Sequence, residues 1–356
     1  MNVLDLARAE IRALTPYSSA RMEASGGQVL LNANESPWSP AEGAGEGLNR
    51  YPDPQPAALL RQLAALYDVA PEQVLVGRGS DEAIDLLVRA FCRAGEDAIL
   101  ISPPTFGMYA VAASIQGAAV LQAPLTDDFG LDADALLAAV TPAVKLVFVC
   151  TPNNPSGDCV PLAMLDRLAT ALRGRALLVV DEAYLEFAGS ASASTLLAAH
   201  DHVAVLRTLS KAYALAGARV GVLLAAASVI GLLRRILAPY PLPAGSVASA
   251  LAATSPDAVA TAHERIGLLC VERERLRAAL ARLEDVVAIL PSAANFLCVR
   301  WRDAAPVYAG LLRAGIVVRD VSRYRGLAGC LRISVGTPEE NRALLDALAR
   351  RQESTA

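Results

Sequence analysis

A chain of 356 residues exceeds what one hydrophobic core usually organises, so two compact units are expected, a large one with a smaller partner. Hydrophobic residues make up 54% of the chain, which excludes general disorder. The formal charge is −4, from 32 Lys+Arg against 36 Asp+Glu, and without a basic run there is no footprint for a nucleic-acid partner.

The chain opens Met-Asn-Val-Leu-Asp-Leu-Ala-Arg-Ala-Glu, with no basic segment leading into an apolar one. No signal peptide is evident, and a cytoplasmic location is expected. The first chemical signal is Gly77-Arg78-Gly79-Ser80-Asp81-Glu82, directly after the predicted strand Val74–Val76 and opening an amphipathic helix with Ala83, Ile84, Leu87, Val88 and Phe91 on one face. Glycines before a helix N-terminus let backbone amides approach a phosphate. Because Asp81 is itself anionic, its amide would meet the phosphate, beside the amide and hydroxyl of Ser80. An ordinary capped turn is the competing account, and this motif alone does not displace it.

Short apolar runs follow at Ala98–Ile101, Leu146–Cys150, Ala176–Val180, Val203–Leu206 and Val220–Leu224, separated by helical patterns. Several are apolar on both faces, as expected of strands in a largely parallel α/β sheet covered by helices on each side. After Cys150 the turn Thr151-Pro-Asn-Asn-Pro-Ser-Gly157 would fix a side chain, Asn154, beyond the strand end. The Ala/Ser stretch from Ala188 to Ala199 reads as a surface loop and helix.

The strongest signal is Val179-Val-Asp-Glu-Ala-Tyr184, a strand ending in carboxylates, followed by Thr208-Leu-Ser-Lys211 past the next strand. Ligands of open α/β sheets collect beyond the C-terminal strand ends, so Asp181 and Lys211 can face one pocket. An aspartate beside a pyridine nitrogen keeps that nitrogen protonated and makes the ring an electron sink, while a lysine amine binds an aldehyde covalently. Pyridoxal 5'-phosphate needs both residue types. Singly, Asp181 could cap a helix and Lys211 could be a surface charge. Ser210 and Arg219 flank Lys211 and offer a hydroxyl and a guanidinium to the same phosphate, and Asn154 and Tyr184 could both donate to the cofactor's phenolic oxygen.

No membrane helix is expected, since Val220–Leu233 is too short and the stretch 236–256 is broken by Pro239, Pro241 and Pro243. Beyond the prolines, a charged amphipathic helix over Pro256–Leu283 and apolar runs at Phe296–Val299, Ile316–Val318 and Leu331–Val335 indicate the smaller α+β domain. The expected division is 41–244 for the large domain, with 1–40 (including an N-terminal arm) and 245–356 forming the small one. Cys92, Cys150, Cys159, Cys270, Cys298 and Cys330 lie far apart and read as reduced core residues. His200, His202 and His263 fall outside every motif, so no metal site is expected.

Together with Leu-Thr-Pro-Tyr at 14–17, Leu-Asn-Ala-Asn-Glu at 31–35, Arg-Tyr-Pro-Asp-Pro at 50–54, Pro-Thr-Phe-Gly-Met-Tyr at 104–109, Arg-Thr-Leu-Ser-Lys at 207–211, Ala-Asn-Phe-Leu at 294–297 and Leu-Arg-Ile-Ser-Val-Gly at 331–336, these motifs cover nearly the whole chain. On them the chain resembles the fold-type I pyridoxal-phosphate aminotransferases and, within them, the histidinol-phosphate aminotransferase family. The resemblance implies a homodimer in which Tyr51 reaches the cofactor phosphate of the neighbouring subunit, Phe106 stacked on the pyridine ring, and Tyr17, Arg319 and Arg332 gripping the substrate. It also implies amino transfer between histidinol phosphate and 2-oxoglutarate in histidine biosynthesis. An aromatic amino-acid aminotransferase and an amino-acid-phosphate decarboxylase of the same fold are the alternatives. Two positions depart from the family pattern: Phe106 stands where tyrosine is usual, and Ser156 where threonine is usual. Stacking survives loss of a hydroxyl, so the first places only a polar contact in question.

Overall fold

In a computed structural model of the chain, residues 2–17, 29–40 and 47–353 are described. Seven strands, β1 (Val74–Gly77), β2 (Ala98–Ile101), β3 (Ala119–Gln122), β4 (Val144–Cys150), β5 (Leu177–Asp181), β6 (Val203–Thr208) and β7 (Gly221–Ala225), form one sheet in the order β1-β7-β6-β5-β4-β2-β3. Neighbours are parallel from β6 through β3, and β7 runs antiparallel to both β1 and β6.

The two-faced burial follows from the period of two along each strand. Val147, Val149, Leu178, Val180, Val203 and Val205 enter one core with Leu59 and Leu63 of the helix Ala57–Tyr67 and with Leu165 and Leu168 of the helix Leu162–Leu172. Leu146, Phe148, Leu177, Val179, Ala204 and Leu206 enter the other, with the helices Ser80–Phe91, Met108–Gln116 and Ala227–Arg234. Val3, Leu6 and Ala7 of the N-terminal stretch belong to this second core.

Four antiparallel strands, β8 (Val286–Ile289), β9 (Phe296–Trp301), β10 (Arg319–Asp320) and β11 (Cys330–Ser334), make a smaller sheet in the order β10-β11-β9-β8. The helix Pro256–Leu280 links the two layers: Ala262 packs in the large core, while Leu276 and Leu280 pack with Leu297, Val299 and Leu331 of the small sheet. Among the described residues no helix is long and apolar enough to cross a membrane.

The expected strands are present with boundaries moved by one or two residues, with one exception. Ile316–Val318 is not a strand; pairing starts at Arg319, because the preceding residues leave a helix through Gly315 at φ +76° and pack Ile316 and Val318 against the small core instead. The Ala/Ser stretch folds as a short 3-10 helix, Ala193–Ala198, with Ala193 fully buried. β3 and β8 escaped the sequence although each carries a short apolar run: both are four-residue, half-exposed edge strands.

In-register pairing of Cys150 with Asp181, and of Asp181 with Leu206, brings the C-terminal ends of β4, β5 and β6 to a common edge. The turn after Cys150, the Asp181–Tyr184 segment and the Thr208–Lys211 segment therefore leave the sheet side by side, where an open α/β fold collects its ligands.

Candidate active site

A cavity of about 150 Å³ opens at this edge, lined by Gly79, Ser80, Asp81, Phe106, Cys150, Asn154, Asp181, Ala183, Tyr184, Thr208, Ser210, Lys211, Ala216 and Arg219. Nine residues singled out in the sequence for the cofactor, from Ser80 to Arg219, are thus brought together from positions scattered over the large domain.

At its floor, Asp181 is 2% exposed. Its Oδ2 accepts from the Tyr109 hydroxyl at 2.6 Å and its Oδ1 from the Ala183 amide at 3.1 Å. Burial pushes its pKa up to about 6 against these two stabilising donors, with Asp81 and Glu182 adding to the rise. A buried carboxylate that is costly to ionise is satisfied by a cationic partner, and a protonated ring nitrogen supplies one. Tyr109 is the residue the sequence did not assign. It closes the motif at 104–109, but nothing in the sequence says that its hydroxyl meets a carboxylate 72 positions away.

Lys211 stands at the opposite wall, solvent-accessible, with Nζ 5.7 Å from the centroid of the Tyr184 ring. Desolvation of the amine in the pocket, then the positive charges of Arg332 and Arg219, lower its pKa and favour the neutral nucleophile. The chain's other lysine, Lys145, lies near the N-terminal end of β4, with Nζ bonded to the Pro142 carbonyl at 2.9 Å and 3.7 Å from Asp97. Only Lys211 faces the cavity.

Asn154 is carried on a turn held from within by Asn153, whose Nδ2 donates to the Pro104 carbonyl at 2.9 Å and to Ser156 Oγ at 2.7 Å, while its Oδ1 accepts from Thr105 at 2.9 Å. The serine at 156 thus retains the hydroxyl the turn uses. Asn154 Oδ1 accepts from Arg332 Nη1, which leaves the amide nitrogen to donate toward the cavity. Tyr184 is buried, and its ring meets Phe296 edge-on at 5.3 Å.

The phosphate end is a close approach of two backbones. A Cβ at Gly221 would stand 2.1 Å from the carbonyl carbon of Gly79, which itself adopts φ +81° as N-cap of the helix Ser80–Phe91. The amides of Ser80 and Asp81 open the helix at this point, and Arg219 Nη2 lies 3.2 Å from Asp81 Oδ2. A half-exposed guanidinium beside helix-terminal amides is a donor set for a dianion. The Ser210 amide donates to Thr208 Oγ1 at 3.1 Å, holding the turn that presents Lys211.

Toward solvent the cavity adjoins a cleft of about 460 Å³ that shares Phe106, Asn154, Tyr184 and Lys211 and adds Arg319 and Arg332 from the small sheet and Tyr324 from the turn between their strands. Arg319 and Arg332 are direct cross-strand partners, and the Arg332 guanidinium lies over the Phe296 ring at 5.3 Å. Phe106 lies in the mouth, edge-on to Tyr109 at 5.6 Å. Two sequence candidates are not brought in. Tyr17, 69% exposed, lines neither space, and Tyr51 stacks on Tyr240 at 4.3 Å outside them.

Known proteins similar to this chain in sequence and in fold are numerous. Over 356 residues the chain is 53% identical to the histidinol-phosphate aminotransferase of Stenotrophomonas maltophilia, covering 99% of this chain and 98% of that protein. The enzyme of the same name from Xanthomonas euvesicatoria pv. vesicatoria is 50% identical, with 100% and 99% covered. Among solved structures, histidinol-phosphate aminotransferase from Sinorhizobium meliloti in complex with pyridoxal-5'-phosphate superposes with a TM-score of 0.78 at 30% identity, covering 86% of this chain and 84% of that one. The Clostridium acetobutylicum protein of that name, at 20% identity and TM-score 0.79 over 86% and 92% of the two chains, shares the fold. Residues 26–348 match the family described as aminotransferase class I and II. With that match spanning both sheets and the whole cavity, the chain belongs to the class I and II aminotransferases.

Proposed function

We propose that the enzyme binds pyridoxal 5'-phosphate and transfers an amino group between histidinol phosphate and 2-oxoglutarate, giving imidazole-acetol phosphate and glutamate. The observation that carries this is a pair of adjoining spaces that share Phe106, Asn154, Tyr184 and Lys211, with Asp181 at the floor of the inner one, Lys211 on the wall opposite and the Arg319–Arg332 pair at the mouth. The relatives' shared name supports the choice of substrate.

When bound, the cofactor supplies an electron sink for the substrate's α-carbon. Asp181 holds the proton of the ring nitrogen, with Tyr109 keeping its carboxylate ionised and oriented. Asn154 and Tyr184 would donate to the ring's phenolic oxygen, Phe106 would cover one ring face, and the Ser80 and Asp81 amides with Ser210 and Arg219 would hold the phosphate. Lys211 would hold the aldehyde, and its amine would serve as the group that carries the proton to and from the substrate's α-carbon, base in one direction and acid in the other. Arg332 would grip the anion common to both donors and Arg319 would favour the phosphate, while the Tyr17 hydroxyl, which lines neither space here, could add to it only after the segment carrying it moves in.

Tyr51 would act on a second subunit's phosphate, which makes the working unit a homodimer in the cytoplasm. The large domain takes 41–244, and the expected assignment of 1–40 to the small domain gives way at Val3, Leu6 and Ala7, which pack in the second core of the large sheet; the small domain is formed within 245–356, around Leu276, Leu280 and the second sheet. Steady-state kinetics with histidinol phosphate and with phenylalanine, each paired with 2-oxoglutarate, test the substrate. Preference for histidinol phosphate is expected, and preference for phenylalanine would replace this reading with an aromatic aminotransferase.

A further inference from the structure

Immediately beyond Asp181, a buried ionic cluster joins the ends of β5 and β6. Arg207 of β6 is 6% exposed and donates from Nη1 to Glu182 Oε2 at 2.8 Å and from Nη2 to Glu186 Oε1 at 2.7 Å. Glu182, 1% exposed, also accepts from Ser192 Oγ and from the Ala193 amide, both at 2.6 Å. The guanidinium lies over the Tyr67 ring, 4.9 Å from its centroid. None of these side chains lines the cavity. Taking a cation and two carboxylates out of water is costly, and an apolar replacement often serves stability as well, so stability alone is a poor reason for such a cluster.

The positions of the two carboxylates along the chain supply a better one. Glu182 and Glu186 bracket Tyr184, and Arg207 lies four residues before Lys211. One rigid guanidinium therefore ties both ends of the turn carrying Tyr184 to the strand that delivers Lys211. A planar fork sets the spacing of two acceptors; an ammonium at the same place is a point charge with no fixed fork.

We propose that Arg207 is a positioning residue: by clamping Glu182 and Glu186 it fixes the Tyr184 hydroxyl relative to Lys211 and the cofactor's phenolic oxygen. The proposal rests on the reading of Lys211 and Tyr184 given above. The remaining charged and titratable groups that face this pair are Arg332, Arg219, Asp81 and Asp181 around Lys211, and Arg332, Cys150 and Asp181 around Tyr184. All of them stay in place in the variants below.

The test is a pH titration of the absorbance of the lysine-bound cofactor in the wild type, Arg207→Lys, Tyr184→Phe and the double variant, with thermal midpoints of all four. The Tyr184 hydroxyl competes with the lysine nitrogen's proton for the phenolic oxygen, so Tyr184→Phe should raise the absorbance midpoint by about one pH unit. Arg207→Lys should raise it by roughly half a unit or more in the wild-type background and by less than about 0.2 in the Tyr184→Phe background, since a residue acting through another shows no separate effect once that other is gone. Loss of thermal midpoint should be the same in both backgrounds. A midpoint unmoved by Arg207→Lys, or a shift that persists without the Tyr184 hydroxyl, overturns the clamp. If Arg207→Lys fails to fold, Glu186→Gln, which keeps an acceptor oxygen and loses one charge, is compared across the same two backgrounds: a midpoint that rises only where Tyr184 is present supports the clamp, and an unmoved or persistent shift overturns it. Borohydride reduction separates the premises: a label on Lys145 would overturn the reading of Lys211 and the clamp with it, whereas a label on Lys211 with an unmoved midpoint overturns the clamp alone.

Discussion

The floor and the mouth of the active cavity are built on opposite principles. At the floor, Asp181, Asn154 and Tyr184 are buried, and strand register and specific hydrogen bonds determine where each one points. At the mouth, Arg319 is exposed and faces Arg332 directly across an antiparallel pair of strands, a like-charge arrangement that is unfavourable until an anion lies between them. The floor is organised before any ligand arrives, as electrostatic catalysis requires. On the proposed reading the mouth would be completed by its ligand, which would let one site accept two donors carrying different anions.

If the floor and the Lys211 wall facing it carry the chemistry, changes there should cost turnover far more than changes at the mouth. Lys211→Ala should cost most, about 10³- to 10⁴-fold in single-turnover amino transfer, since both the covalent attachment and the proton carrier are lost. A loss under about tenfold would mean another base does the work. Asp181→Asn keeps the size and removes the charge, and should cost roughly 10²- to 10³-fold, read as kcat at saturating donor.

The same carboxylate sharpens the comparison through pH. Burial raises Asp181 from 3.8 to about 6, so the folded chain binds this proton more tightly than the unfolded chain. The stability it contributes is therefore fully present below about pH 4 and is lost as the pH rises through 6, on the order of 3 kcal/mol in all. Urea unfolding of wild type and Asp181→Asn, both prepared without cofactor, checks the sign: the difference between them should move against the wild type from pH 4 to pH 7. A difference that stays flat would mean the carboxylate titrates normally.

What could be read from the sequence divides along the same line. The floor was legible because its residues sit at the ends of apolar strands in short motifs, 79–82, 151–157, 179–184 and 208–211, whose residue types are each dictated by one chemical role. The central strands were legible because burial on both faces leaves apolar runs that end in chemical motifs, while β3 and β8 are four-residue, half-exposed edge strands whose short apolar runs lead into no motif. Tyr109 was not legible as the partner of Asp181, because its motif marks a helix start and says nothing about which side chain the hydroxyl meets. Nor was the Arg207 cluster, since the pairing of Glu182 and Glu186 with one guanidinium exists only once β5 and β6 lie side by side. The arginines of the mouth were found through family likeness alone, because an exposed arginine at a strand end has no distinctive pattern.

The division between floor and mouth is tested most directly by half-reaction kinetics on Arg319→Ala and Arg332→Ala, with glutamate and with histidinol phosphate, alongside cofactor affinity by fluorescence titration. The account predicts unchanged cofactor affinity in Arg319→Ala and, in Arg332→Ala, which also frees the Asn154 side chain, a loss of about 30-fold or more with either donor, as expected when one partner of a half-buried charge pair is removed. In Arg319→Ala it predicts a loss near tenfold that falls on histidinol phosphate and spares glutamate. Equal losses for the two donors in Arg319→Ala, or weakened cofactor binding in that variant, would contradict it.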